Sequence, residues 1–173
     1  VTASAILIAK PLVYHVLYPI DMITGSAQYA ITSGSFNSTP VELLMFRNSV
    51  NDYAQFQVKA IGYVTQSTLT VTLGLTALSS SNTDTVFGAR ISAITPNAGE
   101  IIGSGVYGAV SSVTQSLPVQ SQSLAEFQFN ISDLNGLDRN DGLRLNIFRN
   151  GLDVADTTTN SVGINYVQIH YGH

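Results

Sequence analysis

Long stretches of the chain alternate strictly between polar and apolar residues. Thr68-Leu69-Thr70-Val71-Thr72-Leu73 alternates without a break, as do Glu126-Phe127-Gln128-Phe129-Asn130-Ile131, residues 53–60 and residues 143–148. Successive side chains of a strand point to opposite faces, so each run sends one set into a core and the other into water. Their Thr, Val, Ile, Tyr and Phe content suits a pleated, half-buried surface. Further strands are predicted at 41–46, 86–94, 100–102, 106–114 and 162–171, with an extended segment over 12–20, where alternation is poor.

Turn-forming clusters separate these runs: Pro96-Asn97-Ala98-Gly99, Asn135-Gly136, Asn140-Asp141-Gly142 and Asn150-Gly151. Asn, Asp and Gly accept positive φ at low cost and mark tight reversals. Short strands punctuated in this way predict an all-β fold, an antiparallel two-sheet β-sandwich of jelly-roll type with about 8–9 strands. Residues 41–173 form that sandwich in this reading. Residues 1–40 are apolar but poorly alternating, then rich in Ser, Thr, Gly and Asn. They are read either as extra strands of the same sandwich or as an N-terminal arm that docks on another subunit or a particle. Ile6, Leu7 and Ile8 are the docking candidates, because an apolar run of this kind left free would expose a contiguous sticky patch.

Composition narrows the function classes. Charged residues are 10% of the chain, apolar residues are 45%, and Ser, Thr, Asn and Gln fill 56 of the 173 positions. High apolar content with a net charge of only −4 argues against disorder. Seven Lys plus Arg, scattered and outnumbered by eleven Asp plus Glu, argue against a nucleic-acid partner. The absence of cysteine removes disulfides and thiol chemistry. Lys10-Pro11, His15, Pro19 and Asp21 interrupt the most apolar stretch, so no membrane-spanning helix and no membrane partner are expected. Low charge also suits a subunit that packs against neighbours without burying many ions.

Candidate chemistry is sparse. Three histidines (His15, His170, His173) and three glutamates (Glu42, Glu100, Glu126) nominate no metal site and no acid pair, so no catalytic or cofactor-binding residue is assigned and no enzyme is expected. Five of the eight aspartates, Asp133, Asp138, Asp141, Asp153 and Asp156, fall close together. Either they cap turns and pair with neighbouring arginines, or they supply oxygens to a Ca²⁺ ion, the one cofactor considered. Arg149, at a strand end, is placed to bridge a carboxylate of the following turn with two parallel bonds, pinning the register of the last hairpin. Arg149, Asp153 and Asp156 are therefore structural salt-bridge candidates.

The closing stretch 143–157 and the final alternating strand 162–171 carry a resemblance. A strand ending in Arg, an Asp-rich turn leading to Asp156-Thr157, and a last strand closing on an aromatic residue resemble the β-sandwich domain of tailed-bacteriophage virion proteins. Residues 68–78, Val86-Phe87-Gly88-Ala89-Arg90 and Ile131-Ser132-Asp133-Leu134-Asn135-Gly136-Leu137 resemble its preceding segments. The resemblance implies a non-enzymatic virion protein, a capsid cement or decoration subunit or a short fibre. It would self-associate, as a trimer, and bind the major capsid protein or another virion protein. The alternative is a carbohydrate- or receptor-binding β-sandwich module of a phage tail appendage, with Tyr107 or Tyr166 stacking on a glycan.

Overall fold

The computed structural model describes residues 13–33, 40–60, 68–78, 83–96, 98, 105–118 and 123–171. Among them are eleven strands: β1 Val13–Leu17, β2 Thr24–Gly25, β3 Gln28–Ser33, β4 Pro40–Phe46, β5 Asn51–Lys59, β6 Leu69–Ala77, β7 Asp84–Ile94, β8 Ser111–Ser116, β9 Leu124–Ile131, β10 Gly142–Asn150 and β11 Val162–Tyr171. All pairings are antiparallel. One sheet runs β3-β4-β11-β6-β9, with β1 also on β11; the other runs β2-β5-β10-β7-β8.

From β4 onward the chain passes from one sheet to the other at nearly every connection, staying within a sheet only between β7 and β8. This is jelly-roll connectivity, with the sequence alternation reading out the two faces of each strand. Residues 13–17 and 28–33 are strands of the first sheet: β1 and β4 lie end to end on one edge of β11, pairing its residues 167–171 and 162–164, while β3 pairs β4. Ile6, Leu7 and Ile8 lie outside the described residues, as does the strand expected at 100–102.

The inward faces meet in one core. Phe46 of β4, Phe87 of β7 and Phe127 of β9 span both sheets, their rings edge-on at centroid separations of 5.3 Å and 6.4 Å. Edge-to-face contacts of this kind add to what burial alone contributes. Leu69, Val71, Leu73 and Leu75 of β6, and Leu143, Leu145 and Ile147 of β10, fill the space around them.

One expected strand is displaced. Pairing of β8 begins at Ser111, and residues 105–110 run irregularly beside β7 instead, with the Gly108 amide donating to the Ile91 carbonyl at 2.9 Å. The turn after β9 holds this segment in place. Asn135 and Gly136 both take the left-handed region, at φ 49° and 72°, which these residue types enter most cheaply. Asp133 then accepts from the Ala109 amide at 2.6 Å and the Asn135 amide at 3.1 Å, and the Asn135 side chain donates to the Val106 carbonyl at 2.5 Å. The two amide bonds hold the Asp133 carboxyl below its usual range.

Candidate functional site

The outer face of the second sheet carries a cleft of about 500 Å³. Its floor follows from strand register. Central strand β10 turns Leu143, Leu145 and Ile147 inward, so Arg144, Asn146 and Phe148 face out. Phe148 pairs with Tyr53 of β5 on one side and Gly88 of β7 on the other; Asn146 pairs with Gln55 and Arg90. An aromatic row and an amide–guanidinium row therefore lie side by side. Gly88 is needed where it stands, because a Cβ there would lie 2.5 Å from Cζ of Phe148. The ring rests directly on the glycine backbone.

The 105–110 segment forms the wall, contributing Tyr107 and Val110. The Arg90 guanidinium sits 4.6 Å from the centroid of the Tyr107 ring, and its Nε donates to Asn146 Oδ1 at 3.3 Å. Stacking and hydrogen bond together fix the guanidinium plane. Val110 is 50% exposed and Tyr53 40%, so apolar surface is open to solvent at the cleft.

Asp52 is the acid that lines the cleft, and its carboxylate is already engaged. The Arg47 Nε and Nη2 donate to it at 3.0 and 2.7 Å, the Arg47 amide at 2.7 Å and the Ser26 hydroxyl at 3.0 Å. Burial alone would push this carboxyl up, but these hydrogen bonds outweigh it and hold the group below its ordinary range. The unfolded chain thus binds this proton more readily than the folded one, so the stabilisation is complete above about pH 4 and drains away as pH falls through the lowered value. Urea unfolding between pH 6 and pH 3 should show a steeper acid loss for the native chain than for Asp52→Asn. Equal slopes would contradict this assignment.

Arg149 and Asp156 come together on the opposite, inward side of β10. Arg149 donates to Asp156 through Nε at 2.9 Å and Nη2 at 2.7 Å, to the Thr158 and Asn160 carbonyls at 2.8 Å each, and to the Phe46 carbonyl at 3.3 Å. These bonds use all five guanidinium N–H groups. Asp156 also accepts from the Thr85 hydroxyl and the Val86 amide, both at 3.2 Å. The two side chains are 0% and 1% exposed. The pair ties β10 of one sheet to β4 of the other, and a simple hairpin it is not: β10 and β11 belong to different sheets, so the pair closes a crossover rather than setting a hairpin register. Asp153 is not part of it; that carboxylate accepts from the Ala155 amide at 2.9 Å and the Asn150 side chain at 3.2 Å, a local turn bond. Asp138 and Asp141 likewise accept from turn amides, of Arg139 and Asp138. Among the described residues no group of three or more His, Asp or Glu is placed to hold a metal ion.

Of the two tyrosines considered for glycan stacking, Tyr107 lines the cleft, whereas Tyr166 lies on the outer face of the first sheet. The Tyr166 hydroxyl donates to Glu126 at 2.5 Å, and burial, with that hydrogen bond, pushes its phenol up to about 12. Tyr53, Gln55, Arg90, Asn146 and Phe148 were not singled out as site residues from the sequence. The available signal was Phe148 and Tyr53, aromatic residues in the polar registers of alternating strands.

No family model matches the sequence, and no curated protein matches it. Solved structures do match in fold. The chain is similar to the C-terminal CBM6, a carbohydrate-binding module, of LamC, a marine laminarinase from Zobellia galactanivorans, at 8% identity and TM-score 0.50, over 91% of this chain and 98% of that one. It is also similar to part of the Arthrobacter globiformis T6 isomalto-dextranase complexed with panose, at 13% identity and TM-score 0.53, over 90% of this chain and 23% of the enzyme. An arabinose-bound α-L-arabinofuranosidase matches at 10% identity and TM-score 0.50, again over 23% of its length. At these identities the likeness establishes the shared β-sandwich, and this chain spans about a quarter of the two enzymes.

Proposed function

We propose that this chain is a non-catalytic carbohydrate-binding module whose site is the cleft on the outer face of the second sheet. The observation that carries the reading is the pairing of two aromatic rings, exposed Tyr53 and half-buried Phe148, with a row of amide and guanidinium groups, Gln55, Asn146 and Arg90. Sugar rings present apolar C–H faces and a rim of hydroxyls, and a shallow cleft with aromatic floor and planar polar groups meets both. The carboxylate at hand is tied up by Arg47 and Ser26, which leaves the cleft suited to holding a saccharide rather than cleaving it. Of the two readings drawn from the sequence, the cleft favours the binding module over the particle subunit. The named solved structures include a laminarinase's module and an enzyme complexed with panose, which agrees with saccharide chemistry.

Affinity electrophoresis through gels containing soluble polysaccharides, followed by titration calorimetry with the matching oligosaccharide, tests the proposal. At least one glycan should retard the protein, and Tyr53→Ala and Phe148→Ala should each weaken binding by about tenfold or more while leaving the thermal midpoint within a few degrees. Retention unaffected by both substitutions would move the site elsewhere. No retention on any glycan would remove the reading.

A further inference from the structure

The cations that look scattered in the sequence are gathered by the fold. Lys59, Arg90 and Arg144 occupy outward positions of β5, β7 and β10, all on the face that carries the cleft. Among the described residues the ion pairs are Arg47–Asp52 and Arg149–Asp156, so neither Arg90 nor Arg144 has a carboxylate partner there. The acid facing outward from β7 is Asp84, at its far end, bound by the Ser116 hydroxyl at 2.5 Å. Asp52 is neutralised by Arg47, and Asp133 is occupied by two amides.

Arg144 sharpens the point. It is only 7% exposed and pairs across the strands with Ser92; among the described residues neither its Nε nor the buried Ser92 hydroxyl has a hydrogen-bond partner. A guanidinium held this way beneath the 105–110 segment keeps the local potential positive with little screening by water. Arg90, in the cleft itself, has its plane set by Tyr107 and its Nε committed to Asn146, and among the described residues its two terminal nitrogens make no hydrogen bond. That is the geometry of a two-pronged anion receptor.

We infer that the cleft selects glycans that carry an anionic group, a uronate carboxylate or a sulfate ester, and that Arg90 makes the selection. The inference rests on the proposed glycan-binding function and names the class of its ligand. A planar fork next to an aromatic floor lets one residue bind the acid group while Phe148 and Tyr53 hold the ring that bears it. Asn146 fixes the fork and so acts as a positioning residue.

The test compares matched pairs: polygalacturonate, alginate and hyaluronan, each against its carboxyl-esterified form, and carrageenan against its desulfated form. The expected result is retention on at least one acidic member, about tenfold to a hundredfold weaker on its neutralised counterpart, with the preference shrinking as salt rises. The carboxylate and sulfate arms separate the two sources of charge. Arg90→Gln should lose the preference, so that the acidic and neutralised members are retained equally, while keeping the melting temperature; Arg90→Lys should restore part of it. Equal retention on both members of every pair, or a preference that survives Arg90→Gln, would overturn the inference and leave glycan binding standing. Retention on neutral glucans alone has the same consequence. No retention on any polymer would overturn both readings together.

Discussion

Asp156→Ala is expected to lower the stability of the fold by about 3–5 kcal/mol, the usual cost of leaving a buried charge without its partner. The reason lies in what remains. Arg149 is 0% exposed, so its guanidinium has no route to water, and three backbone carbonyls would be left to offset a full charge. The Thr85 hydroxyl and the Val86 amide would lose an acceptor in the same step. Urea unfolding followed by circular dichroism measures the loss. A stability within about 1 kcal/mol of the native protein would show that the pair contributes little and that water reaches the site. Should Asp156→Ala fail to fold, the double substitution Arg149→Met, Asp156→Leu gives a second reading. Replacing a buried pair by apolar residues of similar volume is often close to neutral, so the double variant should be markedly more stable than either single one.

Phe87→Ala should cost a comparable amount, about 3–5 kcal/mol, through a different mechanism. Phe87 is fully buried and stands between Phe46 and Phe127, touching the rings edge-on. It enters from the second sheet, whereas its two partners belong to the first. Truncation thus opens a cavity at the junction of the layers and removes two aromatic contacts at once. Phe87→Leu, which keeps most of the volume, should cost clearly less, and the difference between the two variants isolates the cavity contribution. If Phe87→Ala and Phe87→Leu unfold at the same urea concentration, the layers have collapsed to fill the gap and the Phe87 ring contributes no more than its replacement. Phe87 also precedes Gly88, so a stable Phe87→Leu protein that still binds glycan would show that core and cleft are energetically separable.

Much of the architecture was legible in the alternation. β5, β6, β9 and β10 sit where the pattern put them because a period of two has one structural meaning when one face is apolar. Of the strand expected at 106–114, residues 111–114 pair in β8 while 106–110 do not: Val106, Tyr107 and Val110 have strand-forming side chains, but the hydrogen bonds that decide their path come from Asp133 and Asn135, residues distant in the chain. The closeness of Arg149 to Asp156 was suggested by their spacing, but not its role, since the passage of the chain from one sheet to the other is set by tertiary packing. The cleft was harder still. Arg90, Asn146 and Gln55 become neighbours through the register of three strands, and nothing local to any one of them announces it. Phe148 and Tyr53, aromatic residues in the outward register of alternating strands, were the local signal.

The position of the cleft floor on strands, with a single loop wall, has a consequence for what the proposed site can recognise. Along β10 the outward groups Asn146 and Phe148 stand about 6.8 Å apart, and across to Tyr53 and Gln55 of β5 and Arg90 of β7 the spacing is about 4.8 Å. Backbone hydrogen bonds hold both intervals, so neither can stretch to suit a guest. The face is a ruler graduated in two directions, with a ring, an amide and a cation at fixed marks. Under the proposed glycan-binding function, a polymer is measured against these marks as it docks, and one whose repeat falls out of step with them should be turned away by distance alone.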